Sequence, residues 1–518
     1  MTLVRVLAAQ LSGDGPYGPT ALVIGAILIA VATRVAGKII YNLYFHPLRD
    51  FPGPVLARAT PLWTVLWELT GVLHIKTKEA HDRYGEVVRT EPNSLSYNSA
   101  QAWHDICDHR TTKGKALFEK DQEWHHCAPD GTWNIVGANG EEHRRLRRLL
   151  AHAFSEKSLK TQEVYLHNYV DLFISRLHQK VAEGNDVVNM VDWFNFMTFD
   201  VIGDLAFGEP FGLLKQGKTD RYLSSLFGFL DAEVYMRTAT RLVAKPWLGF
   251  VRRLITPKRL QDDFLYTYEW ARDRLTRRVA SDTKRQDFVY HMLRGSSENV
   301  GPDGLTFSEM LTTSQLLILA GSETTSTFLS GMLCHLQLCP SALSRLTHEI
   351  RSAFTTKEEI TYQRVIGLPY LHAVLEESLR IYPPVTGTVP RLAPEPGAMV
   401  CGKFVPGGTS LGMHHYSCSR SAANFSQPDT FIPERWLEDP DGQFSSDQKD
   451  AFQPFSYGPR NCIGKNLAYA EMKLIVASFF WNFDIQRQPG IEHWADQKTN
   501  MTWKKKPQYV KLIPRQSS

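Results

Sequence analysis

Apolar and polar positions follow three different patterns along this chain. Ala21 to Thr33 (ALVIGAILIAVAT) is an apolar, uncharged run. It is short for a bilayer span, which takes ~20 residues, but Tyr17–Gly37 reaches that length if Arg34 snorkels to the interface. His46-Pro-Leu-Arg-Asp-Phe-Pro-Gly-Pro54 follows, a stiff, helix-breaking elbow. The middle of the chain has mainly helical periodicity. Alternating, strand-like stretches are short: Glu86–Thr90, Leu95–Tyr97, Ala398–Val405 around a Gly402 turn, Thr409–Met413 and Tyr509–Ile513. Thr306 and Glu309 form a capping-box pattern that opens an apolar run to Leu338, just before Pro340. About 33 residues at 1.5 Å each make a helix roughly 50 Å long, enough to cross a domain. The pattern predicts a mainly α fold with small β-sheets, divided into a segment 1–45 and one large domain 46–518.

Composition removes some function classes. Of 518 residues, 43% are hydrophobic and 22% charged, with a net charge of +4, so no basic field asks for nucleic acid. The seven cysteines are irregularly spaced and include no C-x-x-C pair, which points to a reducing environment rather than a disulfide framework. Ala30-Val31-Ala32 has the look of a signal-peptide cleavage site. Arg34, Lys38 and Arg49 after the apolar run outnumber Arg5 before it, however, which favours a retained membrane anchor with the domain in the cytosol.

The chemistry concentrates in Phe455-Ser-Tyr-Gly458-Pro-Arg460-Asn-Cys462-Ile-Gly464. Gly458 permits a tight turn and Pro459 stiffens it. Cys462 stands where a helical pattern (Ala468, Met472, Ile475) begins, and unpaired N–H groups at a helix N-terminus favour thiolate. Gly464 leaves space for a flat ligand, and Arg460 is placed to meet an anionic group on it. A cysteine before a helix is otherwise an ordinary buried thiol. The whole pattern, F-x-x-G-x-R-x-C-x-G, resembles the heme-binding signature of the cytochromes P-450. The resemblance implies that the Cys462 thiolate holds the iron of heme b, with Phe455, Arg460 and Gly464 around it.

Other motifs extend the resemblance over nearly the whole chain. Glu377-Ser-Leu-Arg380 shares one helix face, and Phe431-Ile-Pro433-Glu-Arg435-Trp follows. By themselves such pairs are mostly surface ion pairs; within the family they imply a buried structural cluster of Glu377, Arg380 and Arg435. Ala320-Gly321-Ser322-Glu323-Thr324-Thr325 sits mid-way along the apolar helix. Gly321 lowers helix propensity by ~1 kcal/mol, and threonine hydroxyls bonding back to the i−4 carbonyl bend helices, so a local distortion with room for a small ligand is expected. A carboxylate there is expensive unless partnered or functional. The match to A-G-x-[DE]-T-T implies that Glu323 and Thr324 relay protons to dioxygen. Gly140-Glu-Glu-His143-Arg-Arg-Leu-Arg147 departs from the family's W-x-x-x-R pattern, with His143 in place of Trp. Arg147 and Arg391 are implied to bind heme propionates, with His143 a further candidate. Arg144, Arg145, Arg147 and Arg148 form either a solvated basic face or part of a docking face for an acidic electron-transfer partner.

These resemblances imply a P-450 fold with an N-terminal anchor in the endoplasmic reticulum membrane, of the filamentous-fungal secondary-metabolism branch. The implied activity is oxygen insertion into a hydrophobic small molecule, using dioxygen and NADPH–cytochrome P-450 reductase. A reductase-independent heme-thiolate isomerase or dehydratase, or a non-catalytic heme protein, is the alternative. Substrate contacts are expected from Thr111–Val136, Leu213–Leu242 and Val385–Val389, with Phe227, Phe229, Leu230, Val385 and Val389 as apolar candidates.

Overall fold

The structure is a computed structural model describing residues 19–108, 116–125, 127, 128, 130–281, 283, 285–298 and 304–515. Residues 1–18 of the expected anchor segment and parts of the expected substrate segment 111–136 lie outside the described residues. Helices dominate, as the periodicity predicts, and the sheets are small. The apolar N-terminal run is helical over Pro19–Ile40 and continues through a wider turn, Tyr41–Phe45. The part long and apolar enough to span a membrane is Val23–Phe45; its most apolar stretch is not buried against the protein, and Asn42 near its end is. It therefore extends several residues beyond the expected Gly37, past Arg34 and Lys38.

The elbow after Phe45 is held firmly. Leu48 and Phe51 are buried. The fully buried Arg89 donates from Nη1 to the carbonyls of Asn42 and Leu48 at 3.0 and 3.3 Å, and its backbone N–H donates to Pro52 at 2.7 Å. A Cβ at Gly53 would come within 2.4 Å of the Arg89 carbonyl oxygen, so only glycine lets the elbow lie this close.

The principal sheet joins distant segments. Strands β1 (Val87–Glu91) and β2 (Ser94–Tyr97) form a hairpin; β2 pairs in parallel with β8 (Ser410–Met413), which pairs with β5 (Arg391–Leu392), and β5 pairs with β3 (Glu119–Lys120), while β4 (Val187–Asn189) and the pair β6 (Gly397–Val400) and β7 (Lys403–Pro406) belong to other sheets. The expected hairpin around Gly402 is present as Gly397–Val400 against Lys403–Pro406. The two-residue strands were not foreseen, because so short a stretch carries no period.

Phe307–Leu338 is the spine of the domain. Both halves of the capping box form at Thr306 and Glu309, and helical structure is continuous to Leu338. Helical structure runs through Gly321, and the Thr324 and Thr325 hydroxyls bond back to the i−4 carbonyls of Ala320 and Gly321 as the sequence implies. A Cβ at Gly321 would lie 2.6 Å from Ile202 Cδ1, so the glycine admits the neighbouring helix Met190–Phe207. Gly331 does the same for Tyr382, whose Cδ1 would be 2.2 Å from an added Cβ.

Candidate heme-thiolate site

The cysteine loop is built by backbone constraints. The Cys462 N–H donates to the Phe455 carbonyl at 2.8 Å, closing the loop. Gly458 has φ +73°, and a Cβ would come within 1.8 Å of the Cys107 carbonyl oxygen. Arg147 donates to the Asn461 carbonyl at 2.5 Å and to its Oδ1 at 2.7 Å, fastening the helix Gly140–Ala151 to the loop. The following helix starts at Lys465, so Cys462 precedes the first turn instead of occupying it. This changes the expected electrostatics. Burial pushes the thiol upward from its ordinary value and outweighs the opposing Gly464 N–H, Arg147 and Lys465. The sulfur is nevertheless reachable by solvent, so Cys462 is deep and accessible at once. A Cβ at Gly464 would lie 3.9 Å from that sulfur and 3.8 Å from Phe154, ordinary contacts that leave the glycine unexplained by protein neighbours alone.

Beside the loop a cationic cluster forms. The β3–β5 pairing sets Lys120 opposite Arg391. Arg460 pairs with Glu119 at 2.6 Å and donates to Ala138 O and Asn139 Oδ1 at 2.8 and 3.0 Å. His143 is buried; desolvation first, then Arg460, Arg147, Lys120 and Arg391, push it down to about 3, so it is neutral at physiological pH. Burial and Arg391 likewise push Lys120 well below its usual value. Arg391 Nη2 is buried without a hydrogen-bond partner. Such an orphaned cationic donor among further cations calls for an anionic partner. Lys120 has no motif around it and was missed in the sequence; its only signal is its strand pairing. Of the basic run, Arg144 and Arg148 are exposed, Arg145 is spent on Glu309, and Arg147 turns inward.

Glu377, Arg380 and Arg435 do meet, all fully buried. Arg380 grips Glu377 with two bonds of 2.8 and 2.7 Å, and Arg435 Nε approaches the same carboxylate at 3.1 Å. Asp447, unforeseen, is a fourth member through Arg435 Nη1. Trp436 donates to Glu377 at 2.9 Å and packs on Phe452 with ring centroids 5.0 Å apart, linking the cluster to the cysteine loop.

A family model described as Cytochrome P450 (here written P-450) matches residues 54–512. The chain belongs to the cytochrome P-450 family. Among curated relatives, it is 44% identical over 499 residues to the cytochrome P-450 monooxygenase aclL of Aspergillus oryzae, covering 96% of this chain and 98% of that one. It is 43% identical over 479 residues to astJ of the same organism, covering 92% and 94%, and 36% identical over 503 residues to an averantin hydroxylase of Dothistroma septosporum, covering 95% and 91%. This P-450 is a heme monooxygenase related to enzymes of fungal secondary metabolism. The donor set fits the cofactor that the family implies: a thiol that can be reached, a glycine beside it, and cations with an unsatisfied donor.

In this P-450 the carboxylate on the spine has a partner. Glu323 is buried, receives Lys505 Nζ at 2.9 Å on Oε2, and accepts from Thr327 at 3.1 Å on Oε1. Lys505 also donates to Ser326, Thr327 and Asn195 at 2.9, 3.0 and 3.3 Å. Thr324 is half-buried, and its hydroxyl bonds back to the Ala320 carbonyl at 2.6 Å. A cavity of about 460 Å³ is lined by Leu319, Leu316 and Thr312 of the spine, one to three turns before Thr324. Its wall includes Phe229, as expected, and extends into Arg252–Tyr268, which was not expected; Phe227, Leu230, Val385 and Val389 do not line it.

Proposed function

We propose that Cys462 binds the iron of heme b and that the chain uses it to oxidise an apolar secondary metabolite. The observation that carries this is the conjunction at one loop of a deep but reachable sulfur, Gly464 beside it, and the orphaned Arg391 donor in a cationic cluster. Heme supplies the activation of dioxygen. The protein's part is to hold it: Arg391, with Lys120, Arg460, Arg147 and His143 nearby, meets its propionates, and Phe455 and Gly464 border the sulfur. Thr324, mid-way along the spine, positions a proton, and the buried Glu323–Lys505 pair resupplies it. Glu377, Arg380 and Arg435 carry structure.

Electrons come from NADPH–cytochrome P-450 reductase. Residues 1–45 anchor the domain 46–518 on the cytosolic face of the endoplasmic reticulum. The exposed Trp247, Phe250 and Leu254, on one face of the helix Lys245–Ile255, support a membrane-facing side of that domain. The test is spectroscopic and kinetic. The reduced protein with carbon monoxide gives the red-shifted Soret band of thiolate ligation, and Cys462→His abolishes it; a band that survives refutes the ligand assignment. NADPH consumption with reductase and substrate separates a monooxygenase from an isomerase or a heme carrier. Thr324→Ala keeps heme and NADPH oxidation but diverts electrons to hydrogen peroxide; unchanged product per NADPH refutes the relay.

A further inference from the structure

The cavity, whose spine wall runs from Thr312 to Leu319, five residues before Thr324, is mostly apolar, and its charge is one-sided. Arg252 and Arg253 are the charged side chains among its described lining residues, and no Asp or Glu joins them. Both lie on the helix Lys245–Ile255, which turns Trp247, Phe250 and Leu254 outward. Leu248, Val251 and Arg252 occupy the more covered face, where a further apolar side chain would serve packing better. Arg253 is exposed, whereas Arg252 is half-buried. Arg252 Nη2 donates to Thr240 Oγ1 at 2.6 Å, but Nε is buried with no partner. Its guanidinium therefore has more donors than the protein satisfies, in surroundings that weaken its hydration. Glu233 lies close enough to favour its charge, yet desolvation dominates.

We propose that Arg252 recognises a carboxylate at one end of an otherwise apolar substrate and thereby directs the other end along the spine toward Thr324. The inference rests on the monooxygenase reading and adds a substrate class to it: an apolar organic acid. A planar guanidinium suits this task, because it offers a carboxylate parallel donors and keeps its charge in a poorly solvated place. The spine residues that line the cavity, Thr312, Gln315, Leu316 and Leu319, are all uncharged.

The test compares naphthoate with its uncharged methyl ester, using calorimetric titration of the full-length, heme-loaded protein. The wild type binds the acid about tenfold tighter than the ester, the scale of one charge-assisted contact. Arg252→Gln erases that preference by weakening the acid and leaving the ester within about twofold, while Arg252→Lys keeps part of it. Arg253→Gln, on the exposed side, retains the preference. Equal binding of acid and ester by the wild type overturns the proposal, as does an acid preference that survives Arg252→Gln or an equal loss of both ligands. The carbon monoxide spectrum is recorded for every variant. Its absence in all of them, including the wild type, refutes the heme-thiolate reading, whereas a normal spectrum with no acid preference refutes only the role of Arg252.

Discussion

Replacing Lys505 by methionine isolates the energetics of the spine. The ammonium is 4% exposed and its partner carboxylate 2%, so the change strands Glu323 in protein with Thr327 as its remaining bonded donor. Removing one partner of a buried ion pair costs about 3–5 kcal/mol if the other stays charged. An unfolding entropy of ~2.1 cal/mol/K per residue over ~470 residues is about 1 kcal/mol/K, so the melting point drops by about 3–5 °C. Parallel thermal scans of wild type and variant measure this. A deficit below about 1 °C refutes the buried-pair account. Adding Glu323→Gln to Lys505→Met recovers most of the loss, because no charge is then stranded.

Other sites give sharper outcomes. Gly458→Ala meets the Cys107 carbonyl within 1.8 Å at φ +73°, so the variant loses the thiolate carbon monoxide band while its far-ultraviolet circular dichroism stays helical. Arg435→Met takes the buried cation from Asp447, while Glu377 keeps Arg380 and Trp436, and destabilises by about 3 kcal/mol, read as a lowered unfolding midpoint. His74, His81 and His415 are pushed down to about 4 by burial, so they are neutral when folded. The stability this gives is complete above pH 6.5 and is lost as pH falls toward 4, seen as proton uptake on unfolding at pH 5. For topology, Asn500 in Asn500-Met-Thr stays free of glycan when the full chain is expressed in a eukaryotic host, whereas a sequon introduced before Pro19 is modified. Asn424-Phe-Ser carries no such information: Asn424 is buried and its amide donates to Asn98 and Cys418 at 2.8 and 2.9 Å.

What could be read from the sequence was what local spacing encodes. The capping box of the spine, the Gly458 turn and the Glu377–Arg380 pair depend on residues a few positions apart, and each forms as its spacing implies. What could not be read depends on distant partners. Lys505 reaches Glu323 across 182 positions, and nothing in Trp503-Lys-Lys-Lys names the inward-facing lysine. Lys120 joins the cationic cluster through a two-residue strand. The packing of Gly321 against Ile202 is likewise invisible along the chain. The same holds for Cys462: the N–H groups at a helix end can be read from local spacing, and the burial that pushes the thiol upward cannot.

The grip of Arg89 on the carbonyls of Asn42 and Leu48 affects how this protein meets others. A domain on a slack leash tumbles above its membrane and must find each encounter by trial in every direction. With residues 1–45 as the proposed anchor, a domain fastened in this way would share the attitude of its span, and its freedom would reduce to sliding in the plane and spinning about the membrane normal. Two such bodies on one membrane find each other by a search in the plane, at matched heights, with pitch and roll already settled. Under the proposed anchoring, a slack glycine–serine insert between Phe45 and His46 would leave the cysteine loop untouched and still slow the arrival of electrons from a membrane-bound reductase.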